Sequence, residues 1–305
     1  MPGPRIALLG HGIWGRIVLR DLLALGAEVE VVEPDAARRA EAERSGAARV
    51  AADPDGLGPV DGVIVASPAT HHAADVERVL PLGVPVFCEK PFTTSAASAR
   101  HLAELGGDDI HVMHIWRYHP GVELLGEIAR SGAIGRPLGV RSTRANWTSP
   151  RTDTDPVWTL APHDLTLAIE ILGRLPTPRA AVAELHDGRP VSLWGHCGGG
   201  DEPFLVVEAS TRFTDKRREV RVHGDEGVAV LPGLDADAVE IATGTEARPV
   251  VERRSFDDAE PLVRELGAWL AHLDGGPPPK SDCAEGVAVV EAVEHLRRLA
   301  GVVDA

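Results

Sequence analysis

The sequence predicts two domains of different class: a doubly wound α/β domain with a parallel sheet, then an α+β domain with a mostly antiparallel open sheet. In the first hundred residues, short apolar runs alternate with segments of helical periodicity. A glycine motif stands between the first apolar run and the first helix, and beyond Gly135 strand-like segments follow one another with few helices between them. A length of 305 residues also suits two domains, which we predict at 1–116 and 117–305.

The first domain is a series of strand–helix units. Arg5–Leu9 is an apolar run that ends in glycine, as is typical of a buried parallel strand, and the helix that follows ends at Gly26. The predicted strands are 5–9, 29–33, 48–51, 60–66, 84–88 and 110–115, and the later helices are 35–45, 73–82 and 95–105.

The second domain is predicted to carry most of its strands in one sheet. Its strand-like segments are 137–147, 179–186, 190–196, 203–213, 218–224, 227–231, 238–242 and 249–256, with helices at 121–131, 162–172 and 260–273. The apolar segment 201–213 predicts an open sheet face that packs against a second subunit, so we expect a homodimer or homotetramer.

Composition excludes several classes of protein. The net charge of −15 disfavours nucleic-acid and anionic membrane partners, and no apolar run approaches the roughly 18 residues of a membrane span. Cys88, Cys197 and Cys283 lie far apart without metal-ligand spacing, so we expect no metal site and a reducing, cytoplasmic location.

The motif Gly10-His11-Gly12-Ile13-Trp14-Gly15 has the context that dinucleotide binding requires, because it joins a strand to a helix inside a βαβ unit. Gly10 allows the tight turn, Gly12 allows close approach of a pyrophosphate, and Gly15 allows the helix to pack on the sheet. Free N–H groups at the helix start can bind that pyrophosphate. We therefore predict cofactor contacts at Gly10, Gly12, Ile13, Trp14 and Gly15.

Glu33 ends the second strand, 18 residues beyond Gly15, where a carboxylate can accept both ribose hydroxyls of NAD. The same carboxylate would repel the 2′-phosphate of NADP, and only Arg38 and Arg39 nearby could attract it. The sequence therefore favours NAD over NADP.

Lys90 lies in Cys88-Glu89-Lys90-Pro91-Phe92, at the carboxyl end of a strand, where ligands of open α/β sheets bind. Since the chain has only three lysines, Lys90, Lys216 and Lys280, one inside a motif is notable. Its ammonium can bind the reacting oxygen and stabilise alkoxide character.

His163 lies in Pro162-His163-Asp164-Leu165, which predicts a helix start with Pro162 at the first position. A histidine in the first turn is kept neutral by the helix dipole, and a neutral imidazole can accept a hydroxyl proton and return it.

Together these segments resemble the glucose–fructose oxidoreductase/inositol dehydrogenase (Gfo/Idh/MocA) family over nearly the whole chain. The landmarks are GHGIWG, ASPATHH, GVPVFCEKP, WRYHP, SGAIGRP and APHDL. The resemblance implies an NAD- or NADP-dependent oxidoreductase acting on a secondary hydroxyl or ketone of a sugar, inositol or nucleotide sugar. It further implies that Lys90 and His163 are the catalytic lysine and histidine and that the bond between Lys90 and Pro91 is cis. Ser67, Pro68, His72, Glu89 and Lys90 would then lie at the cofactor.

The chain departs from the family pattern at Thr159, where the family commonly has an aspartate four residues before the histidine. Asp164 is the residue that could compensate. We expect Thr159, Asp164, Arg117, Tyr118 and Trp147 on the substrate side, although packing would also explain the last three.

Two alternatives to a simple dehydrogenase stay open. Thr159 is compatible with a dinucleotide-binding sensor or regulator without turnover. An enzyme that keeps its cofactor bound and recycles it, or uses it transiently for elimination, would share the same motifs.

Overall fold

The computed structural model describes residues 3–148 and 154–302 and contains two sheets of the predicted classes. The first sheet is wholly parallel, with strand order β3-β2-β1-β4-β5-β6. Its strands are β1 Arg5–Leu9, β2 Glu28–Val32, β3 Arg49–Ala51, β4 Gly62–Val65, β5 Val86–Glu89 and β6 Ile110–Met113. Four helices follow its strands: α1 Ile13–Ala24, α2 Ala36–Arg44, α3 His72–Val79 and α4 Ala96–Gly106. The order reverses between β1 and β4, which is the switch point where such sheets bind ligands.

The second sheet has eight strands in the order β14-β13-β12-β11-β7-β10-β9-β8, and every pair is antiparallel except β7 with β10. Its strands are β7 Pro137–Trp147, β8 Pro178–His186, β9 Arg189–Gly199, β10 Glu202–Ser210, β11 Arg212–Gly224, β12 Gly227–Leu231, β13 Ala238–Thr245 and β14 Arg248–Ser255. Helices α5 Pro120–Ser131 and α6 Pro156–Leu172 belong to the same unit. The predicted fold class is confirmed, whereas the single predicted strand 203–213 is wrong, because the chain leaves β10 after Ser210 and begins β11 at Arg212.

The chain forms two compact units, and one of their boundaries lies next to the predicted division at 116 and 117. The first unit is Met1–Ile115 with Leu262–Val290, and the second is Trp116–Pro261 with Glu291–Ala305. Helix α7, Pro261–Leu273, joins the core of the first unit, since the indole of Trp269 stacks on the ring of Phe87 at 5.5 Å. A Cβ at Gly62 would lie 2.8 Å from that indole, so this glycine makes room for it.

The last helix, α8 Cys283–Leu299, is not among the elements predicted from the sequence. Gly286 lies so close to β6 that a Cβ there would approach Val112 Cγ2 to 2.5 Å. None of the helices in the described ranges is long and apolar enough to cross a membrane.

Candidate active site

The glycine loop between β1 and α1 is shaped by backbone crowding at two of its three glycines. Gly10 has φ +97°, and a Cβ there would lie 2.8 Å from the Ala66 carbonyl oxygen. A Cβ at Gly15 would lie 2.1 Å from the Gly10 carbonyl oxygen, so the helix could not keep its place against the loop. Gly12, in contrast, has no atom within 4 Å of where its Cβ would be. The space above Gly12 is open, as the approach of a pyrophosphate requires.

Helix α1 also begins without a side-chain cap. Its N-cap is Gly12, which provides no side chain, whereas α2 and α4 begin on Asp35 and Ser95, whose side chains accept N–H bonds from the first turn. The other uncapped helix of this sheet is α3, after β4. Because β1 and β4 are neighbours at the switch point, both uncapped helix starts lie where a dinucleotide binds in this class of sheet.

The two predicted apolar contacts of the loop differ in exposure. Ile13 is 75% exposed beside the open space, while Trp14 is half-buried and packs against the core of the first unit. Ile13 can therefore cover a bound cofactor with apolar surface, and Trp14 mainly fixes α1.

Glu33 lies beside the glycine loop, as the motif spacing predicted. The residue is 4% exposed, and its carboxylate accepts the backbone N–H of His11 at 2.8 Å and that of Asp35 at 3.0 Å. The Arg38 guanidinium stands 3.9 Å from the same carboxylate, and Arg39 donates to the carbonyl oxygens of Glu33 and Pro34. Each carboxylate oxygen has two lone pairs, so the group retains capacity for hydroxyl donors.

The loop after β4 and the turn after β5 are joined by His72. One ring nitrogen lies 2.8 Å from the Pro91 carbonyl oxygen and the other 2.9 Å from that of Ser67. The side chain is 1% exposed, so the predicted direct contact of His72 with a cofactor is corrected: the ring faces the protein backbone. The Ser67 hydroxyl donates to Asp75 at 2.5 Å.

Glu89 and Lys90 stand at the carboxyl end of β5. Glu89 is buried, and its carboxylate accepts the Lys90 backbone N–H at 2.9 Å. The peptide bond between Lys90 and Pro91 is cis, which confirms that expectation. Glu89 pairs with Met113 in the parallel register of β5 and β6. Lys90 therefore follows at the carboxyl ends of the strands, where ligands of such sheets bind.

His163 belongs to α6 in the second unit, but not to its first turn. The helix begins at Pro156 behind the N-cap Asp155, whose carboxylate accepts the N–H groups of Val157 and Trp158. Pro162 lies inside the helix, so the predicted start there is wrong and the dipole argument for a neutral His163 loses its basis. Two prolines in this segment suit a first helical position, and the aspartate before Pro156 identifies the true start.

Asp164 cannot take over a role at an exposed site, which corrects the expectation that it lies on the substrate side. It is fully buried and accepts hydrogen bonds from the Ser142 hydroxyl at 2.6 Å and Arg144 Nε at 3.1 Å. Burial raises the pKa of the Asp164 carboxyl, and Arg144 and Ser142 oppose that rise. Its carboxylate belongs to the interior of the second unit.

Thr159 lies one turn before His163, so the two side chains share a helix face. The hydroxyl of Thr159 donates to the carbonyl oxygens of Pro156 at 3.1 Å and Asp155 at 3.4 Å. Thr159 and His163 are 5% and 8% exposed. Among the described residues of this helix, no carboxylate therefore takes the place of the missing aspartate on this face.

Trp116, the first residue of the segment WRYHP, lies beside His163 although it is not among the predicted site residues. Its ring meets the His163 ring edge-on at 6.1 Å, and the Arg144 guanidinium lies over it at 5.4 Å. Trp116 thus packs between the imidazole and the buried Arg144. Trp116 and His163 are 47 residues apart in the chain, so no local sequence pattern joins them.

The predicted substrate contacts Arg117, Tyr118 and Trp147 have different environments. Arg117 Nε pairs with Glu170 of α6 at 3.0 Å, with both side chains nearly buried, and Tyr118 is 7% exposed. The ion pair explains Arg117 and burial explains Tyr118 without a substrate, as the packing alternative allows, and a substrate contact of either residue stays a prediction. Trp147 is 60% exposed at the end of β7, with the Arg212 guanidinium 5.7 Å from its ring.

The second unit also contains a cleft of about 560 Å³ away from these residues. The C-terminal ends of α5 and α6 line it, together with Arg130, Arg136 and Arg174 and the carboxylates of Asp201 and Glu202. Arg130 and Arg174 lie at helix C-termini, which positive side chains stabilise, and Arg136 pairs with Asp225 at 3.5 Å, so these arginines are accounted for without a ligand.

Comparison with known proteins identifies the wider group. Residues 5–108 match the family described as oxidoreductases with an NAD-binding Rossmann fold, Gfo/Idh/MocA. An inositol 2-dehydrogenase of Acidothermus cellulolyticus is 28% identical, over 96% of this chain and 92% of the relative. A UDP-N-acetylglucosamine 3-dehydrogenase of Acidithiobacillus ferrooxidans is 30% identical, over 78% of this chain and 83% of the relative.

The fold likeness extends over both units. A solved structure of levoglucosan dehydrogenase, in complex with NADH and L-sorbose, has a TM-score of 0.88 and 18% identity and covers 99% of this chain and 97% of that one. At this identity the likeness concerns the fold alone. With the glycine loop, Glu33, the Lys90 turn and the relatives of near full length, the chain belongs to the Gfo/Idh/MocA family of oxidoreductases with an NAD-binding Rossmann fold.

Proposed function

We propose that this protein is an NAD-dependent dehydrogenase or reductase that transfers a hydride between nicotinamide and a secondary hydroxyl or ketone of a sugar-like substrate. The observation that carries the proposal is the uncapped start of α1 after Gly12, at the switch point of the parallel sheet. Lys90 follows β5 at the carboxyl ends of the same strands. The relatives that act on inositol and on a nucleotide sugar support a polyol, inositol or nucleotide sugar as the substrate class.

The residues of the first unit fit a bound dinucleotide. The first-turn N–H groups of α1 would bind the pyrophosphate, and the open space at Gly12 lets it approach. When bound, the nicotinamide supplies the hydride acceptor or donor. Ser67, Pro68 and the buried Glu89 would shape the loops around it, and Ile13 would cover it.

Glu33 supports NAD rather than NADP. Its carboxylate is fixed by two backbone N–H groups before any cofactor binds, so it can accept ribose hydroxyls without reorganisation. A 2′-phosphate would meet that negative charge directly. Arg39 is already engaged with two carbonyl oxygens, which leaves Arg38 as the only described arginine of that helix start near the carboxylate.

Lys90 and His163 are proposed to act on the substrate oxygen in different ways. The Lys90 ammonium would orient the oxygen and stabilise negative charge on it as the C–H bond breaks. His163 would accept the hydroxyl proton during oxidation and return it during reduction. The dinucleotide would bind to the first unit. In the second unit, Trp147 is an exposed candidate for a substrate contact.

Thr159 favours a second candidate, a dinucleotide-binding sensor without turnover. The carboxylate that the family commonly places there is absent, and Asp164 cannot replace it because Arg144 and Ser142 hold it in the interior. Such a protein would bind NADH and a polyol and transfer no hydride.

Absorbance of NADH, followed during incubation with a panel of sugars, inositols and nucleotide sugars, tests the proposal. On a converted substrate, Lys90→Ala and His163→Asn should each lower kcat by about 10²–10⁴-fold and leave the Kd of NADH nearly unchanged. Lys216→Ala, at an exposed lysine of β11, is the matched control and should keep full activity. Full turnover in both site variants would refute the assignment, and NADH binding without any turnover would favour the sensor.

We also propose a homodimer or homotetramer formed through the face of the eight-stranded sheet opposite α5 and α6. On β10, Leu205 and Val207 are fully buried, while the alternate residues Phe204 and Val206 are only half-buried, and Trp194 on β9 is 40% exposed. Light scattering at micromolar concentration should give a dimeric or tetrameric mass, and a monomeric mass would refute the interface.

A further inference from the structure

His72 has an arrangement that neutral histidine cannot satisfy. Both ring nitrogens lie within hydrogen-bond distance of backbone carbonyl oxygens, Nδ1 at 2.8 Å from Pro91 and Nε2 at 2.9 Å from Ser67. A carbonyl oxygen only accepts, and a neutral imidazole has one N–H and one bare lone pair. In the neutral form, one nitrogen would therefore present its lone pair to an oxygen lone pair at hydrogen-bond distance.

We propose that His72 is a doubly protonated, positively charged imidazolium at neutral pH and that this cation ties together two loops of the candidate active site. One loop follows β4 and carries Ser67 and Pro68; the other follows β5 and carries Lys90 and Pro91. The protonated ring donates to both loops, and hydrogen bonds from a cation are shorter and stronger than those from a neutral donor.

The charged groups around the ring decide whether a buried cation is tolerated. Asp75, on the same helix, accepts the hydroxyl of Ser67, the residue whose carbonyl oxygen His72 contacts. Glu89, at the end of β5, is buried and accepts the N–H of Lys90. The charges of Asp75 and Glu89 both act on the buried thiol of Cys88, whose pKa is raised first by burial and then by these two carboxylates. Two negative charges therefore act at the end of β5, from which the chain turns to Pro91, the residue whose carbonyl oxygen His72 contacts.

Three features oppose the cation. Lys90 is a second positive group on the adjoining turn, His72 is the first residue of α3, where the helix dipole disfavours positive charge, and burial disfavours any charge. The pair of His101 with Glu77 on the neighbouring helices is more than half exposed, so solvent screens it. In this proposal, the two carbonyl acceptors and the carboxylates of Asp75 and Glu89 together offset the Lys90 ammonium, the helix start and burial.

His72 is thus a positioning residue. If the proposed function holds, the charge of His72 matters because it fixes the turn that carries Lys90 relative to the loop at the cofactor. The protonation state itself does not depend on that function, so it can be tested on the resting protein without substrate.

Neutron crystallography of the unmodified protein near pD 8 tests the charge directly. We expect a deuteron on both Nδ1 and Nε2 of His72, well above the ordinary histidine pKa of about 6.5. A single deuteron would overturn the proposal, whatever the protein's activity.

Thermal unfolding across pH gives a second, independent readout. A pKa that is higher in the folded than in the unfolded state adds stability that is fully present below about pH 6.5 and lost as pH rises through the folded value. The Tm difference between the unmodified protein and His72→Gln should therefore be largest near pH 6 and shrink by at least about half by pH 9.5. His101→Gln is the control and should show no such gap, since its imidazole is exposed. A Tm difference for His72→Gln that is independent of pH would contradict a charged ring; if that variant does not fold, the neutron experiment still decides.

Discussion

Helix α1 in the first unit and helix α6 in the second begin in opposite ways. The first turn of α1 follows Gly12, which has no side chain to cap it, and the space where a Gly12 Cβ would lie is open. The first turn of α6 is capped by Asp155, whose carboxylate also pairs with the buried Arg297. A helix start that the protein caps itself cannot serve as an anion site. Under the proposed function, the first unit would bind negative charge with backbone N–H groups, and the second would act through side chains inside a helix.

Removing the buried charge partner of α6 should produce the largest effect on stability. Asp164→Asn leaves Arg144, which is 3% exposed, without its counterion, and breaking a buried pair costs about 3–5 kcal/mol of unfolding free energy. Urea denaturation followed by tryptophan fluorescence measures the loss. Glu219→Gln, which breaks the half-exposed pair with Arg221, is the control and should cost about 0–1 kcal/mol.

A double variant separates the pair from its two charges. Replacing Arg144 and Asp164 together by leucine should cost less than Asp164→Asn alone, because no buried charge is left uncompensated. A double variant less stable than the single one would mean that the pair itself, rather than the stranded arginine, holds α6 on β7.

The glycine loop should respond to methyl groups in two different ways. Gly15→Ala places a Cβ 2.1 Å from the Gly10 carbonyl oxygen and should lower the unfolding free energy by about 1–3 kcal/mol. Gly12→Ala meets no atom within 4 Å and should leave stability within about 0.5 kcal/mol. The Kd of NADH, by calorimetry, should nevertheless rise at least about tenfold in Gly12→Ala, since the methyl group fills the approach to α1. Unchanged NADH affinity in a folded Gly12→Ala would show that the dinucleotide does not bind here.

These contrasts also explain how far the sequence could predict the molecule. The glycine loop, Glu33 and Lys90 could be placed because backbone crowding and strand ends dictate those residue types locally. The start of α6 was misplaced because Pro156 and Pro162 carry similar local signals, and only the cap at Asp155 distinguishes them. The burial of Asp164 by Ser142 and Arg144, and the packing of Trp269 on Phe87, join residues distant in the chain, and no local pattern reveals such partners.

Cofactor preference tests the role of the Glu33 carboxylate in the first unit, and its expected effect is smaller than those of the variants above. Glu33→Ala removes the charge that opposes a 2′-phosphate, so the ratio of NADPH to NADH affinity should rise about tenfold, equivalent to about 1.4 kcal/mol. Calorimetric titration with both cofactors measures the ratio. Glu30→Ala, on the same strand and paired with Arg49, is the matched control and should leave the ratio unchanged. Tighter binding of NADPH than NADH by the unmodified protein would contradict the proposed preference.

Thr159→Asp should have the smallest effect. It tests whether a carboxylate at position 159 would assist proton transfer by His163. The new carboxylate would stand one turn before His163 on the same helix face and favour the protonated imidazole, raising the pKa of that histidine. The neutral imidazole that acts as the base would then predominate only at higher pH, so the ascending limb of the pH–rate profile should move to higher pH. At pH values above that limb, kcat should rise severalfold, because a more basic imidazole accepts the proton more readily. Thr159→Asn is the control of matched shape without charge and should leave the limb in place. The carboxylate must displace a hydroxyl that donates to the carbonyl oxygens of Asp155 and Pro156, where a second acceptor is unfavourable, and this limits the expected gain. A folded Thr159→Asp with an unchanged pH profile would mean that position 159 does not govern proton transfer in this chain.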